Sequence, residues 1–232
     1  MIIRTSEKFD WQKLAFPLVG VDEVGRGCLA GPVFAGAVHV SDREWQKRRW
    51  TRGLVDSKQI TAKKRSMLAE KIHESFCCSV AESSVAEIDR INILQASLLA
   101  MARALASLEN KGLEFQTVCV DGNRIIPEAL LRFAGLRQRN FTQIAIIEGD
   151  SRCPVISAAA IAAKVSRDAL MIRFGEEFPG YGFESHKGYG SPAHLEALRA
   201  KGPLAIHRRH FAGVRELTEM DGEFQQGVFA WE

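Results

Sequence analysis

Acidic side chains follow three stretches of this chain that read as buried strands. Asp22 and Glu23 come after one apolar run, and Asp121 and Asp150 close two later ones. A single aspartate in such a place is usually a turn residue that caps its own backbone. Several carboxylates at one end of one sheet instead repel each other strongly, unless a cation lies between them. Because hard oxygen ligands select Mg²⁺ or Mn²⁺, the joint pattern predicts a site for divalent ions.

The chemistry that such a site favours is phosphoryl transfer. Two hard cations about 4 Å apart align a water, a phosphodiester and its leaving oxygen for in-line displacement. Magnesium sites commonly use a few carboxylates and complete their shell with water and substrate phosphate. The acids alone therefore indicate a metal-dependent enzyme that acts on a phosphodiester.

The elements that must position these acids are strands first, and then strands alternating with helices. Five stretches read as strands: 17–22, 32–40, 77–82, 116–121 and 142–150. Four stretches read as helices: about 62–76, 93–108, 154–176 and 191–202. Thr61 is a predicted helix cap, and Ser84 with Glu87 forms a predicted capping box. The first two strands lie too close in sequence for a crossover helix, which predicts a hairpin. This order favours an α/β fold with a mixed sheet, in which sites form at strand ends.

The composition is that of an ordinary globular protein. Of the 232 residues, 46% are hydrophobic and 25% are charged, and the net charge of +3 permits a polyanionic partner without demanding one. The five cysteines include no C-x-x-C pair, so we expect reduced thiols rather than a zinc knuckle or a disulfide framework. The sequence contains neither a signal-peptide pattern nor a run of 18 uncharged apolar residues, so we expect no membrane partner.

Six segments occur in an order that resembles bacterial ribonuclease HII, the type 2 ribonuclease H family. They are GVDEVGRGCLAGPVFAGAV (20–38), DSKQIT (56–61), VDGN (120–123), GDSRCPVISAAAIAAKVSRD (149–168), GYGFESHKGYGSPAHLEAL (180–198) and IHRRHF (206–211). The resemblance covers about residues 17–215. It implies a ribonuclease H-like α/β core, with a five-stranded mixed sheet flanked by helices, and a C-terminal helical part. We expect the core over 1–190 and the helical extension over 191–232, packed together as one globular unit.

The activity that the resemblance implies is cleavage of the RNA strand of RNA–DNA hybrids. It also implies nicking of DNA on the 5′ side of embedded ribonucleotides, which leaves a 3′-hydroxyl and a 5′-phosphate. The family's metal ligands match Asp22, Glu23, Asp121 and Asp150, with Asp22 and Asp121 as central ligands of two Mn²⁺ or Mg²⁺ ions. The expected role is removal of misincorporated ribonucleotides in a bacterial cytoplasm, by a monomer.

Two segments match the family's contacts to the ribonucleotide and the sugar after it. Gly25, Arg26 and Gly27 match a loop that contacts the ribonucleotide and its 2′-hydroxyl. Glycines allow close approach of a backbone, and an arginine can grip a phosphate, although a plain tight turn is the alternative. Tyr189 matches the tyrosine that packs under the following sugar, and Tyr181 is its competitor for this role.

The remaining substrate contacts that the resemblance implies are polar or basic. They are Ser57, Lys58, Lys164, His207 and Arg208. Lys164 shares a predicted helix face with Arg167, so both can serve phosphate, or Arg167 can pair with Asp168. His207 has a structural hydrogen-bonding role as its alternative. The basic stretch 43–52 either adds sequence-independent phosphate affinity or is a solvated face.

The chain departs from the family pattern at two positions. Glu148 replaces a usual basic residue and adds negative charge near Asp150, which Arg152 is expected to offset in part. Ala160 stands where serine is common. These changes bear on rate and metal preference rather than on the type of reaction.

The last ten residues, EFQQGVFAWE (223–232), resemble a glutamine-led peptide that docks on a sliding clamp. The alternative is a chain end that packs on the core.

Three other functions fit parts of the pattern. A DNA-only nuclease or strand-transfer enzyme on the same core would not need the loop and tyrosine that read a ribonucleotide. A hybrid-binding protein without activity would not need all four acids. A type 3 ribonuclease H has a longer N-terminal domain than the 19 residues that precede Gly20.

Overall fold

The computed structural model of this chain describes residues 1–4, 7, 9–41, 54 and 61–220. Within these residues one mixed sheet has the strand order β1-β6-β5-β2-β3-β4. The strands are β1 Ile2–Ile3, β2 Leu18–Val24, β3 Val33–Val40, β4 Cys77–Ser83, β5 Thr117–Asp121 and β6 Thr142–Ile146. Strands β2, β3 and β4 pair antiparallel, whereas β2 with β5, β5 with β6, and β1 with β6 pair parallel. The predicted α/β class, the mixed sheet and the hairpin are confirmed.

The sheet described here has six strands, whereas the resemblance implied five. The additional strand is β1, whose two residues extend the sheet beside Ala145 and Ile146. Two residues are too few to show the alternation by which a strand is recognised in a sequence.

Helices cover both faces of the sheet. They are α1 Ala62–Ser75, α2 Val85–Asn110, α3 Glu128–Phe133, α4 Gly149–Arg152, α5 Pro154–Glu177, α6 Phe183–His186, α7 Pro192–Lys201 and α8 Arg215–Met220. A 3₁₀ turn spans Trp11–Lys13. The predicted caps are confirmed, because Thr61 accepts from the backbone of Lys64 and Ser84 and Glu87 form both arms of a capping box.

Helix α2 begins earlier than the predicted 93–108. Its first turns are separated from the rest by Asn92, which has φ 65° and ψ 163°. The Asn92 side chain accepts from the backbone amides of Leu94 and Gln95 at 3.0 and 3.2 Å, so it caps the longer second segment. The prediction therefore located the second segment and missed the turns before it. Helix α2 is long and apolar enough to cross a membrane, but 61% of its most apolar stretch is buried inside the protein.

Helix α5 lies very close to the sheet because glycines face it. A Cβ atom on Gly20 would lie 2.4 Å from the carbonyl carbon of Val155, and one on Gly36 would lie 2.2 Å from the carbonyl oxygen of Ala159. The small residues Ala158 and Ala159 are fully buried at this contact. Small side chains in this helix therefore allow close packing against the sheet.

Residues 191–220 pack on the rest through an apolar cluster that contains Leu29, Leu198 and Val214. Gly202 ends α7, and Ser191 caps its start by accepting from His194. The proposed division at residue 190 stays a prediction. The thiols of all five cysteines are free, as the sequence predicted.

Candidate active site

The acids meet where strands β2 and β5 lie side by side. Val21 pairs with Val120 in this parallel ladder, so the next residues, Asp22 and Asp121, occupy neighbouring positions. Carboxylate oxygens of Asp22, Glu23 and Asp121 all lie within 4.8 Å of one another. Asp22 is buried, and the other two are partly exposed. The fold therefore brings together three of the four predicted ligands as a compact group.

Asp150 reaches the site by a different route from the one predicted. Strand β6 ends at Ile146, and Glu148 takes a left-handed conformation with φ 56° before the helical turn α4. The prediction of a strand through residue 150 was therefore wrong at its end, because the left-handed residue redirects the chain. The amides of Gly149 and Asp150 donate to Asp121 Oδ1 at 2.7 and 3.3 Å. Asp121 thus anchors the turn that carries Asp150.

The acids strongly disfavour each other's charge in this arrangement. Burial, and then the charges of Asp121, Glu23 and Asp150, raise the pKa of Asp22 well above its usual value. Burial, followed by Asp150 and Glu23, raises the pKa of Asp121 to about 6. A divalent cation removes this repulsion, and a donor set made only of carboxylate oxygens suits a hard ion such as Mg²⁺ or Mn²⁺. The residues present therefore fit the predicted metal site.

A cavity of about 390 Å³ opens beside the acids. The predicted site residues in its wall are Asp22, Glu23, Gly25, Arg26, Gly27, Asp150, Lys164 and Tyr189. Ala160, where the family often has serine, also lines it. Asp121 lines a smaller neighbouring cavity of about 100 Å³ together with Glu23, Arg26 and Asn123. One opening thus joins the acid group to the loop and the tyrosine that the sequence singled out.

The loop from Gly25 to Gly27 is shaped by packing as well as by its glycines. Gly25 has φ +89°, and a Cβ atom there would lie 2.1 Å from Nε of Arg167. Glycine is therefore required at this position by both conformation and space. Arg26 Nη1 lies 3.2 Å from Glu23 Oε1, and the arginine side chain is half exposed. Arg26 thus restrains one acid of the group while it faces solvent.

The two tyrosines occupy different environments. Tyr189 is 44% exposed in the cavity wall, and its main chain pairs with Cys28. Tyr181 is 7% exposed, and its hydroxyl donates to the carbonyl of Gly202 at 2.7 Å. This placement supports Tyr189 and assigns Tyr181 to the core.

Lys164 and Arg167 of helix α5 have separate environments. Lys164 lines the cavity, and its ammonium group forms an ion pair with Asp168. Arg167 is fully buried and donates to the carbonyls of Pro32, Lys187 and Ala30. Arg167 therefore neither faces phosphate nor pairs with Asp168, so both alternatives for it were wrong.

The sequence-based prediction missed Arg65 of helix α1. Arg65 lines the cavity and lies 3.9 Å from Asp168, on the side where Lys164 also approaches. No local pattern marks this arginine, which lies one turn into a helix that carries several basic residues. Only the packing of α1 against α5 brings it into the cavity wall.

His207 and Arg208 do not reach the cavity. Both are buried, and the Arg208 guanidinium donates to the carbonyls of Gly25, Arg26 and Gly31. Direct contact of either side chain with nucleic acid is incompatible with this placement. The predicted contact with the nucleic-acid backbone is therefore corrected: both residues lie buried, and Arg208 lies beneath the loop.

Several predicted positions lie outside the described residues. They are Ser57 and Lys58, the basic stretch 43–52 and the tail 223–232. Glu148 is exposed. The Arg152 guanidinium donates to the carbonyls of Arg4, Glu7 and Ile147 at 2.7–3.1 Å. Because these carbonyls are neutral, the positive charge of Arg152 persists, and its partial offset of the Glu148 charge stays a prediction.

The fold and the site together define a nuclease of the ribonuclease H-like class. The family model for Ribonuclease HII matches residues 19–214. Ribonuclease HII from Delftia acidovorans is 47% identical over 204 residues, which is 88% of this chain and 79% of that relative. Ribonuclease HII 2 from Methylibium petroleiphilum is 47% identical over 201 residues, covering 86% of this chain and 84% of the relative. The chain belongs to the ribonuclease HII family, whose members are endonucleases that degrade the RNA of RNA–DNA hybrids.

Solved structures agree with this assignment. Ribonuclease H2 from Pyrococcus horikoshii superposes with a TM-score of 0.71 at 28% identity, covering 89% of this chain and 99% of that one. Bst-RNase HIII in complex with Mn²⁺ shares the fold, with a TM-score of 0.69 at 21% identity over 88% of this chain and 69% of its own. The fold is thus shared with both type 2 and type 3 enzymes, and the family model and the sequence identities assign the chain to type 2.

Proposed function

We propose that this ribonuclease H also nicks DNA on the 5′ side of embedded ribonucleotides, leaving a 3′-hydroxyl and a 5′-phosphate. The observation that carries the proposal is the shared cavity, in which Asp22, Glu23 and Asp150 face the 25–27 loop and Tyr189. A nuclease that cut any duplex would need the acids but not a loop and an aromatic ring beside them. The proposed physiological role is removal of misincorporated ribonucleotides, by a monomer in the cytoplasm.

The four acids are proposed to form two metal sites. Asp22 and Asp121 would hold both ions, and Glu23 and Asp150 would each complete one site. Two bound Mn²⁺ or Mg²⁺ ions would supply an activated water and stabilise the charge on the leaving oxygen. The part of the chain itself is to hold four carboxylates close together. The hydrogen bonds from α4 to Asp121 and the Arg26 contact to Glu23 support that arrangement.

The reader of the ribonucleotide is proposed to be the 25–27 loop together with Tyr189. A Cβ atom on Gly27 would meet no described protein atom within 4 Å, so packing within the described residues does not explain the glycine. Close approach of a sugar to the backbone would explain it, because a 2′-hydroxyl can donate and accept at main-chain groups. The exposed ring of Tyr189 offers a surface for the next sugar.

The phosphates are proposed to lie along a basic wall. Lys164 and the newly recognised Arg65 line the cavity and share Asp168 as an ionic partner. Asp168 orients both cations while leaving net positive charge on this side. Ser57 and Lys58 stay predicted contacts to the same backbone.

A sliding-clamp contact through residues 223–232 is a separate proposal. The ribonuclease HII of Archaeoglobus fulgidus, solved as a complex with PCNA, superposes with a TM-score of 0.65 at 27% identity over 84% of this chain and 95% of its own. Deletion of residues 225–232 should abolish clamp binding and leave the unfolding temperature unchanged. A lower unfolding temperature with no clamp affinity in the full chain would instead favour packing of the tail on the core.

The test of the main proposal uses a DNA duplex with one ribonucleotide, an all-DNA duplex of the same sequence, and Mg²⁺ or Mn²⁺. The wild type should nick only the first duplex, immediately 5′ of the ribonucleotide. Asp121→Asn should lower the rate at least about 100-fold, since losing groups that merely orient ligands already costs 10–100-fold. Asparagine keeps an oxygen that accepts from the Gly149 amide, so the fold should survive.

Thermal unfolding separates loss of metal from loss of structure. Mn²⁺ should raise the unfolding temperature of the wild type but not of Asp121→Asn, because ligands that bind only the folded state stabilise it. Cleavage of the all-DNA duplex would assign a general nuclease instead. Tight binding of the ribonucleotide duplex without cleavage would point to a binding protein.

A further inference from the structure

The dipeptide His207-Arg208 lies buried beneath both parts of the proposed reader. Arg208 Nε donates to the carbonyl of Gly31 at 3.0 Å, and its Nη1 and Nη2 donate to the carbonyls of Arg26 and Gly25 at 2.8 Å. Its backbone amide donates to Leu29 at 2.8 Å. One planar guanidinium therefore spans the loop from residue 25 to residue 31, which a lysine ammonium cannot do.

His207 reaches the other part of the reader through His194. His207 Nδ1 lies 2.8 Å from the amide nitrogen and 3.3 Å from the carbonyl oxygen of Leu204. Because the Tyr189 carbonyl at the other end of the chain of bonds can only accept from His194, Nδ1 of His207 accepts the shorter bond from the Leu204 amide, and the ring proton of neutral His207 is on Nε2. That Nε2 lies 3.1 Å from Nε2 of His194, which must therefore accept. The proton of His194 is then on Nδ1, which lies 2.8 Å from the carbonyl of Tyr189 and donates to it. One chain of hydrogen bonds thus sets both tautomers and ends at the main chain of Tyr189.

Burial maintains the charge states that this chain of bonds requires. It lowers the pKa of His194 and of His207 to about 4, so both rings are neutral near neutral pH. It lowers the pKa of Arg208 only to about 10, so the guanidinium stays charged. The two parts of the reader are also joined directly, because Leu29 donates to the carbonyl of Gly188 at 2.8 Å and Cys28 pairs with Tyr189.

We propose that His207 and Arg208 are positioning residues. They hold the 25–27 loop and Tyr189 at fixed positions relative to each other and touch no substrate. Arg208 acts through three loop carbonyls, and His207 acts through His194 on Tyr189. This inference rests on the proposed function, in which loop and tyrosine read the ribonucleotide together. It replaces the nucleic-acid contact that the sequence suggested for this dipeptide.

The test compares kcat/KM for a DNA duplex with one ribonucleotide and for an RNA–DNA hybrid of the same sequence. Arg208→Lys and His207→Phe should lower the ratio of the two values about 10- to 100-fold, the range expected when reacting groups are displaced by up to about 1 Å. His207→Gln, whose amide can still donate to His194, should keep most of the ratio. Arg103→Lys is the matched control, because the Arg103 guanidinium also bonds a main-chain carbonyl, that of Glu82, besides the Glu87 carboxylate, and none of these three residues lines the cavity.

A double-mutant cycle decides whether His207 acts through Tyr189. His207→Phe should lower the ratio in the wild type and have little further effect in Tyr189→Ala, since the two changes then remove the same contribution. If the two substitutions instead lower the ratio independently, so that their fold-changes multiply in the double variant, the inference for His207 would be overturned. An unchanged ratio in Arg208→Lys, accompanied only by a lower unfolding temperature, would overturn it for Arg208.

Amide hydrogen exchange provides a readout that does not depend on the proposed function. Arg208→Lys should speed exchange in residues 25–31 and 187–190 and leave strand β5 protected as in the wild type. Uniformly faster exchange, or no change in the loops, would contradict the inference. If the wild type shows no preference for the single-ribonucleotide duplex, the proposed function fails, and exchange alone decides whether these residues position the loops.

Discussion

At the scale of single residues, burial and mutual repulsion of the active-site acids lower the stability of the metal-free fold. The folded chain holds a proton on Asp121 up to about pH 6, whereas the ordinary pKa of this side chain is 3.8. The metal-free fold therefore binds more protons than the unfolded chain in this window, and it loses stability as the pH rises through it. A bound cation offsets this cost, which links the function of the acids to the stability of the protein.

The loop glycines differ in why they are needed, and Gly27 allows a clean test. Gly27→Ala should change the free energy of unfolding by no more than about 0.5 kcal/mol, because its Cβ would enter open space. The same change should raise KM for the single-ribonucleotide duplex, because the methyl group would occupy the place proposed for the sugar. Urea unfolding and steady-state kinetics measure the two effects. An unchanged KM would remove Gly27 from the reader.

At the scale of elements, close contact between helix α5 and the sheet supports the site. Gly36→Ala should destabilise the fold by about 1–3 kcal/mol or more, because its Cβ would lie 2.2 Å from a backbone carbonyl oxygen that cannot move alone. Urea unfolding measures this, with Gly27→Ala as the matched substitution in open space. Equal stabilities of the two variants would show that α5 shifts easily. The acids would then be held less firmly than the packing indicates.

The buried histidines predict a pH dependence of stability. The unfolded chain binds protons at these rings below pH 6.5, whereas the folded chain excludes them until about pH 4. The unfolded state thus binds more protons in this window, so the contribution of His194 and His207 is complete above pH 6.5 and is lost as the pH falls toward 4. Denaturant unfolding of the wild type and His207→Gln between pH 4 and pH 7.5 measures it.

Comparing the wild type with His207→Gln separates the contribution of the histidines to the pH dependence of stability from that of other titrating groups. His207→Gln removes one of the two titrations, so its free energy of unfolding should depend less steeply on pH than that of the wild type. Parallel curves for the two proteins would mean that His207 takes up a proton in the folded state as easily as in the unfolded one.

At the scale of the whole molecule, the net charge of only +3 means that attraction to a polyanionic nucleic acid depends on where the basic residues are concentrated. The basic stretch 43–52 is one such concentration in the sequence. Replacing Lys47, Arg48 and Arg49 by glutamine should weaken binding to all duplexes alike and make it less sensitive to salt. The slope of log K against log salt should become shallower by about 0.9 for each phosphate that these side chains neutralise in the wild type. Binding measured across a salt series tests this. An unchanged slope would show that the stretch is a solvated face.

The amino-acid sequence by itself determined most of the elements and the chemistry of the site. Alternating and helical patterns, the caps at Thr61 and Ser84, and the motifs around the four acids are local features, so each is readable within a short window. The residues flanking Tyr189 match a family motif, which led to the choice of Tyr189 over Tyr181, and the structure places only Tyr189 in the cavity wall.

Only the tertiary structure decided which way the remaining side chains face. Arg65, Arg167 and Arg208 are equally basic in the sequence, yet one lines the cavity and two are buried against main-chain carbonyls. Likewise, strand β1 exists only because β6 offers it an edge. Burial of a charged group depends on carbonyls supplied from distant parts of the chain, as in the bonds of Arg208 to residues 25–31. No local window contains both partners, so the packed fold alone assigns them.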